Sequence, residues 1–134
     1  MAVEQINAQV KSGDRAGEIF TVNFDMPKST QEAIEAYDRA LAINPMCADC
    51  LNDKGLATYD SGDPAGAIAS FDKANQVAPD YVNAWLSKGY VLVVEKRYEE
   101  AIAPLNKVKE LAPQSALAME ADRFLQLAIS ESLE

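Results

Sequence analysis

Cys47-Ala-Asp-Cys50 is the one run in this chain whose residue types and spacing suit chemistry. Two thiols three positions apart can supply half a zinc site or form a redox disulfide. A closed zinc site takes four ligands, and the sequence has no histidine and no third cysteine. Carboxylates such as Asp49 or Asp53 would have to complete it, which is a poor match for zinc. A thioredoxin-type couple expects a strand-to-helix setting, whereas this pair falls at a helix start between two repeating segments. A helix N-terminus lowers a thiol pKa, and Asp49 opposes that effect. The pair therefore reads first as structural, with Cys50 a small buried residue. A metal bridging two copies, or a regulatory disulfide, is the alternative.

The remaining inventory speaks against catalysis. Without histidine the usual general base near neutral pH is missing, and no glycine-rich phosphate loop or serine nucleophile motif is present. Acid pairs such as Glu99 with Glu100, or Glu32 with Glu35, fall on helix faces and read as solvated charge. The expectation is a chain that is not an enzyme, with no catalytic residue, no cofactor and no metal. A net charge of -9 repels phosphate backbones and anionic headgroups, which disfavours nucleic acid and membrane surfaces as partners. No run approaches the roughly 20 apolar residues of a membrane span, and the start lacks a basic segment followed by an apolar one. The expected location is the cytoplasm, although a mature secreted protein would begin in the same way.

The elements that must position these residues follow from a repeat. The chain has 134 residues, 49% of them apolar, enough for one domain with a real core. Pro45, Pro79 and Pro113 stand 34 positions apart, and each closes a matching segment. The segments place Ala33, Tyr37 and Ala40, then Ala67, Phe71 and Ala74, then Ala101, Leu105 and Val108 on one helix face, small residues letting a neighbouring helix come close. Proline stops each helix. Further helical runs, Leu51 to Asp60 and Ala84 to Glu95, precede the second and third segments and carry Gly55 and Gly89 at one register. Glycine costs a helix about 1 kcal/mol against alanine, so its recurrence predicts a close helix crossing. Asp60-Ser-Gly62-Asp63-Pro64 supplies a turn glycine, an N-cap and a first-turn proline; Glu95-Lys-Arg-Tyr98 lacks the glycine. Ser29-x-x-Glu32 reads as a capping box. Residues 14–27 are ambiguous, since Phe20 and Phe24 suit a helix while Phe20-Thr-Val22-Asn-Phe24-Asp-Met26 alternates like a strand. Helix is favoured because a lone strand would lack a ladder partner. Residues 2–11 read as an extra helix.

Trp85-Leu-Ser-Lys-Gly89 followed by Ala101 to Pro113 resembles the tetratricopeptide repeat, a family of 34-residue helix-turn-helix units. The likeness is close over residues 48–113. It departs at Lys54 and Lys88 where the pattern has leucine, at Thr58 and Leu92 where it has tyrosine, and at Leu51 where it has tryptophan. The resemblance implies an all-α, right-handed alpha-alpha superhelix of about three hairpins plus a C-terminal capping helix. As a single domain it divides into residues 1–13, a degenerate first repeat at 14–47, repeats at 48–81 and 82–115, and a cap at 116–134. Leu117, Ala121, Phe124, Leu125 and Ala128 form the apolar stripe of that cap, with Glu120, Asp122, Arg123 and Gln126 mostly opposite.

In such arrays the resemblance puts positions 2, 5, 6, 9, 12 and 13 of each repeat in a concave groove. These are Asp49, Asn52, Asp53, Leu56, Tyr59 and Asp60, then Asn83, Leu86, Ser87, Tyr90, Val93 and Val94. An acidic half beside an apolar half with two tyrosines suits a protein or peptide partner carrying apolar and basic side chains. Leu56, Val93 and Val94 can equally pack between repeats, and the aspartates can be a solvated face. One subgroup of the family grips chaperone carboxy termini with lysine, asparagine and arginine. This chain has Glu18, Val22, Asp53, Asn83 and Ser87 at those places, which disfavours that role. Two other readings stay open: a self-assembly element forming homo-oligomers through exposed apolar faces or a swapped segment bearing Phe20, Val22, Phe24 and Met26, and a thiol or metal sensor through Cys47 and Cys50.

Overall fold

The computed structural model describes residues 28–133, which form six helices and, among the described residues, no strand. They are α1 Lys28–Ile43, α2 Ala48–Asp60, α3 Pro64–Val77, α4 Val82–Val94, α5 Tyr98–Leu111 and α6 Ala116–Ser132. The expected helix over 14–27, the extra helix over 2–11, and the places of Glu18, Phe20, Val22, Phe24 and Met26 lie outside the described residues. No helix among those described is long and apolar enough to cross a membrane.

Local chemistry sets the ends of these helices. Asp63 caps α3 by accepting from the Gly66 N–H at 2.9 Å, Pro64 occupies the first turn, and Gly62 before it has φ of 96°. One period later, in the α4–α5 turn, Lys96 takes the left-handed conformation with φ of 63°, a place where glycine carries no steric cost. In the first turn of α5, Arg97 donates to Glu100 at 2.6 Å, and Ser115 caps α6 by accepting from the Ala118 N–H at 3.0 Å.

The small-large-small pattern closes the hairpins. Phe71 and Leu105 are fully enclosed, as are Ala67, Ala74, Ala101 and Val108 beside them, and each large side chain so buried contributes about 1.5–3 kcal/mol. Facing them on α2 and α4 are the two glycines. A Cβ on Gly55 would lie 2.4 Å from the Phe71 ring, and one on Gly89 would lie 2.4 Å from Leu105. Helices α2 and α3, like α4 and α5, thus meet at a distance only glycine permits. Leu92, Leu105, Val108, Ala121 and Leu125 continue the core into α6, and the Trp85 indole at its edge donates to the Pro79 carbonyl at 2.8 Å.

The structure explains the two lysines that depart from the repeat pattern. Lys54 on α2 reaches Asp38 on α1, and Lys88 on α4 reaches Asp72 on α3, both at 2.6 Å. Each pair joins the first helix of one hairpin to the second helix of the hairpin before it. At the next seam the polarity reverses: Asp122 on α6, 34 positions after Lys88, pairs with Lys109 on α5 at 2.7 Å.

Cys47 and Cys50 are joined in a disulfide, which corrects the expectation of unpaired thiols with Cys50 as a small buried residue. The Cys47 position before α2 and the first helical turn bring the two Cα atoms to 5.3 Å, inside the span a disulfide takes. Cys50 is half-buried, and the Cys47 Sγ also accepts from the Cys50 N–H at 3.1 Å.

Candidate functional site

The curvature of the stack follows from which helices touch. Helix α2 approaches α4, and α4 approaches α6, to within 8 Å between Cα atoms, whereas α1 and α3, and α3 and α5, have no such approach. Inner helices that pack and outer helices that splay make a concave face from α2, α4 and α6. Small residues sit in the clusters these helices share: Ala84 is fully buried with Leu51 of α2 and Ala74 of α3, and Ala121 is fully buried with Leu92 and Val93 of α4.

Residues one repeat apart converge on that face. Leu56, Tyr90 and Phe124 share a single register, 34 positions apart, and all three line one cavity of about 270 Å³ together with Leu86, Ser87 and Glu120. Tyr90 stands at its centre. The Tyr59 ring meets Tyr90 edge-on at 6.4 Å between centroids, and Phe124 lies tilted against Tyr90 at 5.5 Å. Such aromatic pairs contribute about 0.5–1.5 kcal/mol beyond area burial, and they hold three rings in a row across three helices.

Of the residues expected from sequence, Leu56, Leu86, Ser87 and Tyr90 come together in this cavity, and Tyr59 extends it along α2. On α2, Asp49 and Asp60 are exposed and Asp53 is half-buried, and Asn83 is exposed at the start of α4. Val94 is 46% exposed, but Val93 is 5% exposed and packs in the core. Val93 is therefore corrected from a groove residue to a packing residue. Asn52 is likewise 5% exposed and offers little surface. Sequence reasoning missed Glu120 and Phe124. Both lie 34 positions after Leu86 and Tyr90, and the apolar stripe of α6 hides that register behind the pattern of a cap.

Burial and neighbouring carboxylates shift three groups around this face. Burial first, and the neighbouring Asp49 carboxylate second, push the Asp53 carboxyl above its ordinary value, with the Asn52 side chain opposing. Tyr81 donates to Asp49, and its hydroxyl is pushed up to about 12 by burial and then by that hydrogen bond. The Tyr59 hydroxyl donates to Glu95 at 3.4 Å and is also raised, burial being the larger cause and Glu95 the next.

This arrangement of 34-residue helix pairs agrees with the comparison of families: the model described as Tetratricopeptide repeat matches residues 29–76 and again residues 52–116. The chain belongs to the tetratricopeptide repeat family. Protein FlbA of Caulobacter vibrioides is similar to it, 35% identical over 72 residues that make up 54% of this chain and 12% of FlbA. The small glutamine-rich tetratricopeptide repeat-containing protein 2 of Mycosarcoma maydis is 29% identical over 83 residues, 62% of this chain and 24% of that protein. The chain thus spans less than a quarter of either relative's length. Among solved structures, the TPR2B domain of yeast Sti1 in its complex with pHsp70 superposes with a TM-score of 0.72 at 22% identity, covering 77% of this chain and 85% of that domain. At that identity the likeness is one of fold: an all-α tetratricopeptide solenoid.

Proposed function

We propose that this chain is a protein-interaction module, not an enzyme, whose groove along α2, α4 and α6 takes a partner peptide carrying apolar and basic side chains. Its repeat units are residues 48–81 and 82–115. One observation carries the reading: an apolar, aromatic-lined cavity of about 270 Å³ opens on a concave face whose α2 wall bears Asp49, Asp53 and Asp60. A cavity this small is below the usual 300–1,000 Å³ of a small-molecule site and suits one large side chain of an extended or helical segment. The yeast Sti1 domain is in a complex with pHsp70, but Asp53, Asn83 and Ser87 here replace the asparagine, lysine and arginine of the carboxylate-gripping subgroup. An acidic tail would meet repulsion.

A pull-down from source-cell lysate with wild type beside Tyr90→Asp tests the reading, after circular dichroism has established that both are equally folded. Tyr90 is 38% exposed, so the substitution places a charge in the cavity without entering the core. A prey enriched by wild type and lost with the variant supports the groove; a prey retained by both overturns it.

A second reading, self-association, draws on the apolar side chains that α6 leaves exposed, Met119 at 68% and Ile129 at 48%, with Leu133 beyond its end at 82%. Light scattering over a range of concentrations decides it, since a constant monomer mass removes the homo-oligomer.

A further inference from the structure

We infer that α6 is the specificity wall of the groove: Phe124 and Glu120 form a two-part seat for a bulky apolar side chain with a lysine or arginine beside it in the partner peptide. The inference rests on the reading of the groove as the recognition surface and goes beyond it by assigning the deciding contacts to a helix the sequence marks only as a cap. Three observations lead to it. The cavity takes lining residues from three helices, and α6 contributes two of the six, Glu120 and Phe124. Phe124 completes the apolar part by packing against Tyr90 at 5.5 Å. Glu120 is the one charged residue among the described residues of the lining.

Charge complementarity fixes the class of occupant. Positions 2, 5, 6, 9, 12 and 13 of α2, α4 and α6 hold four carboxylates, those of Asp49, Asp53, Asp60 and Glu120, and no lysine or arginine. Glu120 is paired with Arg123, one turn along α6, whose guanidinium lies 3.6 Å away with its side chain 76% exposed. A pair so solvated contributes little and yields to a partner cation that is shielded once the apolar side chain beside it has entered the cavity. Desolvation on docking strengthens that new pair, because water is excluded from around it. The same field repels an acidic segment at every one of the four carboxylates, so the groove rejects as well as selects.

The test is selection from a random peptide display library on wild type, Glu120→Lys, Tyr90→Asp and Glu110→Lys. Affinities are then measured by fluorescence polarisation with synthetic copies of the enriched peptides, on variants matched for folding by circular dichroism. Glu110 lies on α5 outside the groove, so its variant changes net charge by the same amount without touching the seat. The expected result is enrichment by wild type of peptides with an apolar residue beside lysine or arginine. Their affinity is expected to fall at least tenfold with Glu120→Lys and less than twofold with Glu110→Lys. Enrichment without a basic bias, or equal losses with the two charge variants, overturns the seat. If Tyr90→Asp abolishes binding while Glu120→Lys leaves it unchanged, the groove reading stands and this inference fails. If wild type enriches nothing, both fail.

Discussion

Gly89 shows how much a missing atom can do. Its backbone lies against Leu105, which has no exposed surface, and an added Cβ would sit 2.4 Å from a Leu105 methyl carbon. Alanine would gain about 1 kcal/mol of helix propensity, but overpacking a filled core costs about 1–3 kcal/mol. Gly89→Ala is therefore expected to lower the midpoint of urea unfolding, and a raised midpoint would show that α4 and α5 can part. Asp53 allows a second prediction. Its carboxyl is raised from the ordinary 3.8 by burial and by Asp49, so the fold holds its proton more tightly than the unfolded chain does. The charged form thus costs stability above the folded pKa, and the cost vanishes below 3.8, where both states are protonated. Asp53→Asn is expected to raise the thermal midpoint at pH 7, with the gain disappearing as pH falls through the carboxylate range. A gain that stays constant with pH would assign the effect to packing. Gly55 and Gly89 were legible in the sequence because their recurrence at one register admits a single physical reason. Asn52 and Val93 were not, because register states which face a residue occupies but not how closely a neighbouring helix covers it.

At the scale of the element, the 34-residue period carried most of the architecture. Proline closures, the glycine pair and the Asp63 cap mark where helices end and which faces meet, and each acts within a few residues of itself. What the period concealed is the double character of α6. Its apolar stripe covers α5, as Leu125 and Ala128 do in the core, and the same helix places Phe124 in the groove because it begins in register with α2 and α4. Lys54 and Lys88 were equally opaque, since their partners lie 16 residues back on the preceding helix and no pattern within one repeat names them. With Lys88 25% and Asp72 48% exposed, this seam is expected to contribute about 0.2–1 kcal/mol. Lys88→Asp and Asp72→Lys are each expected to destabilise by that amount plus the new like-charge repulsion, while the double exchange restores most of the loss. Additive losses in a chemical-denaturation cycle would show that the two side chains do not interact.

Across the whole molecule, each helix packs mainly on its sequence neighbours, with α2, α4 and α6 adding the inner seams. A solenoid built this way is stabilised hairpin by hairpin and seam by seam, and similar seams carry a hazard: one hairpin can dock where another belongs. The reversed ion pair at the last seam bears on that hazard. Were α6 to settle against α3 in place of α4, Asp122 would arrive where Lys88 now meets Asp72, and two carboxylates would face each other. Correct stacking is met by attraction and misordered stacking by repulsion, so the chain carries an address for its last piece, written in the sign of a charge.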